Sequence, residues 1–308
     1  MEAGELNKKI KEEKTAVLIV NTYSRSGEKL FFRAMDGLDV RGIRLAAAYP
    51  VRNPKRLPEF VKEAIGRGHK MIIIGGGDGT ISSAVDYFVE EDIALGVLPL
   101  GTGNSFARSL GIPLDLNGAL DVIAKGKVAK IDVGEVDGHH FANVATIGFS
   151  ADVARFAPRP LKRLLGVGAY GLSGLWQFFA HGYFDCDLTI NGVKKSIKTH
   201  QVIIANGTYY GISKILPDAQ IDNKELLVMT MDSMDRFQIL KFWAALLTNG
   251  RVRFPEIDYM QAKELYMETR PRKHIDIDGE FSRKTPAIIK IHPNALFIMA
   301  PQNFIDIG

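Results

Sequence analysis

The sequence has a single cysteine, Cys186, among 308 residues. No intrachain disulfide can form, so packing alone must hold the fold, which fits a reducing compartment. An apolar leader is also missing. The opening MEAGELNKKIKEEK is charged, has no hydrophobic h-region and reads as a frayed or short helical lead-in. No clean membrane-spanning run exists either. The most apolar long stretch, Leu164–Ala180, carries four glycines together with Ser173 and Gln177. It reads as a core helix, or as two helical pieces broken at Gly166 and Gly168. Internal repeats and low-complexity segments are absent. A strong charge of one sign is lacking too. The formal net charge is +4, which permits attraction to phosphates or an anionic membrane but does not call for nucleic acid.

What remains is an ordinary globular composition, 46% hydrophobic and 24% charged. It can build a sizeable core, and the length suits two domains. The first third alternates strands with helices. Ala16–Val20, Ile43–Ala48, Met71–Ile74 and Ala94–Leu98 read as strands, with helices at Leu57–Ile65 and Thr80–Val89. Continuous apolar runs of this kind suit a parallel sheet covered on both faces. From Lys127 the pattern becomes apolar–polar alternation around hairpin signals at Asp137-Gly138 and Asn191-Gly192. Strands are expected at 187–190, 201–205, 226–231, 265–269, 274–277 and 288–291, with helices around 151–181 and 236–247. The expected division is an α/β domain over 1–126 and a β domain over 127–300 with a helical insert. The tail 301–308 is read as returning to the first domain.

Gly75-Gly76-Gly77-Asp78-Gly79-Thr80 follows a buried strand and opens a helix. Glycines there let the backbone come close to another molecule, and a helix N-terminus favours phosphate. A plain tight turn is the alternative. A second loop, Gly101-Thr102-Gly103-Asn104-Ser105, follows the next strand and again precedes a helix. Two such loops can line one crevice, with Thr80, Thr102 and Asn104 as polar donors. Neither loop fits the dinucleotide or Walker patterns. Asn21 to Gly27, with Asn21, Arg25 and Ser26, supplies small polar residues and a cation at the same sheet edge, or simply caps a helix. Late in the chain, His274-Ile275-Asp276-Ile277-Asp278-Gly279-Glu280 alternates so that Asp276 and Asp278 share a strand face. Three neighbouring carboxylates suggest a general base, Mg²⁺ ligands, or both; a solvated hairpin is the alternative. His139 and His140, at a hairpin turn, read as exposed turn residues rather than metal ligands.

Together these segments resemble the diacylglycerol kinase catalytic-domain family, in its branch of soluble bacterial-type lipid kinases related to sphingosine and ceramide kinases. The matching stretches are VNTYSRSG, GGGDGT, LGTGNSFAR, NVATIGFSADV, ANGTYYG and IDGE, in family order. The resemblance implies a phosphofructokinase-like α/β nucleotide domain followed by an antiparallel β-sandwich, with the active site in the cleft between them. It implies transfer of the ATP γ-phosphoryl group to a lipid hydroxyl with Mg²⁺, diacylglycerol or a related lipid being the acceptor. A sphingoid base, more remotely NAD, and a non-catalytic binding role are the alternatives. By position, Gly76, Gly77, Asp78, Gly79 and Thr80 bind ATP phosphates, with Asn21, Ser26, Gly101, Thr102 and Asn104 beside them. Asp278 takes the general-base position and Glu280 is its acidic neighbour. Asp78 and Asp278 are the candidate Mg²⁺ carboxylates, and Asp222 the candidate for a structural metal site.

Some positions depart from the family pattern. Ser105 stands where a second acid is frequent, Gly211–Lys214 replaces a glycine-rich segment, Asp222-Asn223-Lys224-Glu225 replaces an Asp-Gly turn, and Val51 replaces a threonine. A lipid kinase without a membrane span must dock. Arg155, Arg159, Lys162 and Arg163, followed by Trp176, Phe178, Phe179 and Tyr183, suit an anionic interface or a buried helix. The expected partner is a lipid at a membrane surface, contacted peripherally from the cytoplasm, with no nucleic acid; a homodimer is a further expectation.

Overall fold

The computed structural model describes residues 1–24, 26–148, 151, 182–210, 213–214, 221–232, 237–238, 241, 257–279 and 281–305. The chain opens with α1 (Ala3–Glu13), β1 (Thr15–Asn21), α2 (Gly27–Val40), β2 (Arg44–Val51), α3 (Leu57–Gly66), β3 (Met71–Gly76), α4 (Asp78–Val85), β4 (Ala94–Pro99), α5 (Ser105–Ser109) and α6 (Leu116–Lys125). Then come β5 (Lys127–Val136), β6 (His139–Phe141), β7 (Val144–Gly148), β8 (Phe184–Ile190), β9 (Val193–Ala205), β10 (Tyr209–Tyr210) and β11 (Ser213–Lys214). The last six are β12 (Leu226–Asp232), β13 (Ile257–Ala262), β14 (Glu264–Arg270), β15 (His274–Ile277), β16 (Phe281–Lys284) and β17 (Ala287–Ala300).

The first layer is a parallel sheet in the order β4-β3-β1-β2. Every residue of β3 and β4 is buried, as the unbroken apolar runs require when helices cover both faces. The chain leaves β1 for β2 on one side, then crosses back to β3 on the other. That reversal makes the β1/β3 boundary a topological switch point, where open α/β sheets place ligands beyond the carboxyl ends of the strands.

The second half is antiparallel. β8 and β14 alternate buried and exposed residues, the pattern of a sheet with one face in the core. Asp137-Gly138 and Asn191-Gly192 both adopt positive φ at both turn positions, which two-residue hairpins demand. β17 joins the halves. Its first residues pair with β14, its length pairs with β5, and Ile298 pairs in parallel with Leu95 of β4. Leu296–Ala300 and Val128–Val133 therefore contribute to the first core, while Ala287, Ile289 and Ile291 belong to the second.

Of the two expected forms the opening takes the short helix, α1, docked by buried Leu6 and Ile10 and by Asn7 Oδ1 accepting from Val128 N at 3.2 Å. Three details differ from expectation. α4 runs Asp78–Val85 rather than 80–89, because Gly77 is extended and serves as the N-cap. β13 is a strand without sequence warning, since its inner residues are largely exposed. β17 is 14 residues long, where only 288–291 carried a clear signal. Among the described residues, no helix is long and apolar enough to cross a membrane. Leu164–Ala180, the cations Arg155, Arg159, Lys162 and Arg163, and most of the expected 151–181 and 236–247 helices lie outside the described residues.

Candidate active site

The ends of β1, β3 and β4 converge at the switch point. Asn21 Nδ2 donates to Thr80 Oγ1 at 2.9 Å, closing β1 onto the start of α4. Asn21 Oδ1 accepts from Tyr23 N at 3.1 Å, so one side chain shapes the loop and braces its neighbour. The two glycine loops touch through bare backbone. A Cβ added at Gly101 would lie 2.5 Å from Gly77 Cα, and one at Gly76 would lie 2.5 Å from the Thr80 side chain. No other residue fits either place without moving the loop.

Asn104 holds the second loop in a closed ring. It sits in the left-handed region at φ 51°, its Oδ1 accepts from Gly101 N at 2.9 Å, and its Nδ2 donates to Gly101 O at 2.9 Å. Thr102 is exposed at the loop tip. Ser26 is exposed at the N-cap of α2 and makes no side-chain capping bond.

Asp78 ties the two loops together. Its Oδ1 accepts from Phe106 N at 3.2 Å and its Oδ2 from Ser105 Oγ at 3.4 Å. Ser105 thus supplies a donor where a second carboxylate would repel Asp78. Burial raises the Asp78 pKa, and the amides of Phe106, Ser105 and Asn104 recover only part of that cost.

Asp278 faces these loops from the β-domain. It has left the strand: β15 ends at Ile277, and Asp278 turns at φ 49°. The expected common face with Asp276 is therefore not formed, because the turn redirects the second carboxylate. Asp276 Oδ2 accepts from Gly279 N at 3.0 Å, inside its own turn. Asp278 instead reaches the start of β7. Its Oδ2 accepts from Ala142 N at 2.9 Å, and its Oδ1 from Asn143 N at 3.2 Å and Val144 N at 2.8 Å. Although the residue keeps a half-buried surface, its carboxyl is enclosed. Burial pushes its pKa up to about 7; the three amides oppose the rise and the nearby Asp78 charge adds to it. A carboxylate has about four acceptor positions. Three are filled by amides, which leaves one on Oδ2 for a proton from elsewhere.

The motif around Ala205 ties the segment that holds Asp278 to α5. Asn206 N and Gly207 N donate to Asn143 O at 2.8 and 3.1 Å, and Tyr209 N donates to Ser109 Oγ of α5 at 3.4 Å. Asn143 Oδ1 and Asn206 Oδ1 are buried here without a hydrogen-bond donor. Their roles were not legible in the sequence, although both lie in the quoted motifs.

Glu280 lies outside the described residues, as does Arg25. Asp222 is buried beside Asp132, whose pKa is raised first by burial and further by the Asp222 charge. Asp132 is a buried brace that sequence reasoning missed: its Oδ1 accepts from Asn294 N at 2.8 Å and its Oδ2 from Lys224 N at 2.6 Å. Among the described residues, the one group of three or more side chains spaced to share a metal is Glu135, His140 and His292, and Asp222 is not in it. His139 and His140 are not exposed turn residues, because the hairpin folds them against Asp86, just after α4.

Comparison with known proteins agrees with this arrangement. Residues 15–136 match the model of the diacylglycerol kinase catalytic domain. Residues 143–300 match that of the YegS C-terminal NAD kinase beta sandwich-like domain. A diacylglycerol kinase of Staphylococcus haemolyticus is 27% identical over 273 residues, covering 85% of this chain and 81% of the relative. One of Staphylococcus aureus is 26% identical over 288 residues, covering 91% of each chain. Two solved structures from Bacillus anthracis share the fold. One, described as a diacylglycerol kinase, has a TM-score of 0.73 at 22% identity, covering 95% of this chain and 98% of that one. The other reaches 0.81 at 24% identity, with 95% and 97% covered. With both halves matched in order, the chain belongs to the diacylglycerol kinase catalytic-domain family, phosphotransferases that act on an alcohol group.

Proposed function

We propose that this lipid kinase uses ATP and Mg²⁺ to phosphorylate the hydroxyl of diacylglycerol or a closely related lipid at a membrane surface. The observation that carries the reading is the Asp278 carboxyl, with one open acceptor position and a pKa near 7, opposite the two glycine loops. A base with that pKa takes a proton at neutral pH and can return it. The loops fit phosphate: they meet through glycine backbone, and α4 begins at their junction. The Asp78 charge is close enough to raise the Asp278 pKa, and a hard divalent cation held with the phosphates on the Asp78 side would offset that repulsion. Bound ATP with Mg²⁺ would supply the γ-phosphoryl group and offset the charge that develops during transfer.

The residues of this chain then have separable roles. Asn21, Thr80 and Asn104 fix the loops, and Asp78 clamps them to each other and contributes a carboxylate. Asp278 accepts the proton of the lipid hydroxyl on Oδ2, held in place by the amides of Ala142, Asn143 and Val144. The test offers the purified protein γ-labelled ATP, Mg²⁺ and mixed micelles of diacylglycerol, a monoacylglycerol, a sphingoid base or ceramide, with NAD as a soluble acceptor. Label entering diacylglycerol, lost without Mg²⁺ and in Asp278→Asn, is the expected result. Label entering only a sphingoid base or NAD overturns the acceptor. Nucleotide binding without transfer to any acceptor overturns catalysis.

A further inference from the structure

Away from the cleft, four segments meet behind α4. Glu135 lies on β5, His140 on β6, His292 on β17, and Asp86 directly follows α4. One ligand atom from each of Glu135, His140 and His292 lies within 4.8 Å of the others. The side chains of Glu135 and His140 keep only 14% and 16% of their surface exposed, and that of His292 26%. The geometry points to a site for one divalent late first-row metal ion, Zn²⁺ by its chemistry, bound by His140 Nε2, His292 Nε2 and Glu135 Oε2. Nothing in the lipid kinase reaction requires it.

The donor set is selective. Two imidazoles and one carboxylate suit zinc, iron or nickel, whereas Mg²⁺ prefers oxygens alone. Ligand bonds of about 2.0–2.2 Å in a tetrahedral shell put neighbouring donors roughly 3.3–3.5 Å apart. The observed separations bracket that value: His292 Nε2 to Glu135 Oε2 is 2.5 Å and His140 Nε2 to the same oxygen is 4.0 Å. Seating an ion takes shifts of both rings, His292 away from Glu135 Oε2 and His140 toward it, each of roughly 1 Å or less.

The outer shell is already in place. His140 Nδ1 is 2.9 Å from Asp86 Oδ1, and His140 N donates to the same oxygen at 2.8 Å. A neutral ring that donates through Nδ1 carries its lone pair on Nε2, aimed at Glu135. This carboxylate–histidine pairing is the arrangement that orients metal-binding imidazoles. Glu135 Oε1 is taken by Gly138 N at 2.9 Å, which turns Oε2 toward the histidines. Lys290 Nζ, 3.2 Å from Oε2, now supplies the positive charge that an ion would replace, and its side chain is 40% exposed and can withdraw. An ion here would staple β17 and the β5–β6 hairpin together, and through Asp86 to the end of the helix that begins at the nucleotide loop.

The test starts from chelator-treated full-length protein titrated with Co²⁺ and followed by its visible absorption. The expected result is one equivalent of bound Co²⁺, displaced by Zn²⁺ and not by Mg²⁺. His140→Asn and His292→Asn should each weaken binding at least about tenfold, and Asp86→Asn by about tenfold with the band retained. Lys290→Ala keeps every ligand and removes the competitor, so it should bind more tightly than the parent. Circular dichroism checks that each variant folds. Absence of a saturable band in the parent protein and in Lys290→Ala overturns the proposal. So does a band left intact in the folded His140→Asn, His292→Asn double variant.

Discussion

Asp278, the proposed general base, carries an enclosed carboxyl. Its three amide donors favour the ionised form, but enclosure away from water and the Asp78 charge win, so the pKa rises to about 7. An ordinary aspartate ionises near 4. Between those values the folded protein holds a proton that the unfolded chain has lost. The stability contributed by this group is thus complete below about pH 4 and is lost as the pH rises through about 7. The melting temperature of the parent protein, measured relative to Asp278→Asn, should fall across that window. Activity should move the opposite way, with kcat/KM climbing through about pH 7 as the base ionises. Asp278→Asn should lose about 10²–10⁴ in kcat while nucleotide affinity, measured by calorimetry, stays near the parent value. Near-normal turnover would remove Asp278 as the base.

At the scale of elements, the proposed nucleotide site rests on two loops in backbone contact. A methyl group at Gly101 would sit 2.5 Å from Gly77 Cα, so one loop must retreat. Gly101→Ala should raise the KM for ATP about tenfold or more, with the circular dichroism spectrum unchanged, since the clash is local to exposed loops. Asp78→Ala removes the clamp to Phe106 N and Ser105 Oγ and the carboxylate proposed to lie beside the phosphates. Both nucleotide affinity and turnover should drop. Ser105→Ala removes the 3.4 Å hydroxyl contact to Asp78 and should cost about 0.5–1.5 kcal/mol of stability, read from urea unfolding.

For the whole molecule, β17 decides cooperativity. It supplies Ala287, Ile289 and Ile291 to one core and Leu296 to Ala300 to the other. Asp132 fixes its central irregularity by accepting from Asn294 N. Loosening either end should be felt in both halves. Ile298→Ala, at a fully buried position, should cost about 2–5 kcal/mol. Thermal unfolding should remain one transition at a lower midpoint; two separated transitions would show that the halves unfold independently.

The sequence by itself determined the local events. Apolar runs in β1, β3 and β4 read as doubly covered strands, the Asp137-Gly138 and Asn191-Gly192 pairs as tight turns, and the two glycine loops as strand-to-helix turns of one sheet edge. Each signal arises from neighbours in the chain, so each is legible there. Only the tertiary structure decided which distant groups meet. Alternation placed Asp278 beside Asp276, but a residue in the left-handed region reversed its direction and sent it to the amides of Ala142, Asn143 and Val144, 134–136 positions earlier. His140 looked like a turn residue until the hairpin folded onto Asp86, and the second core entry of β17 became visible only once Ile298 lay against β4. Those pairings, and the burial that moves the Asp278 pKa, are long-range sums over many contacts, and no local pattern encodes them.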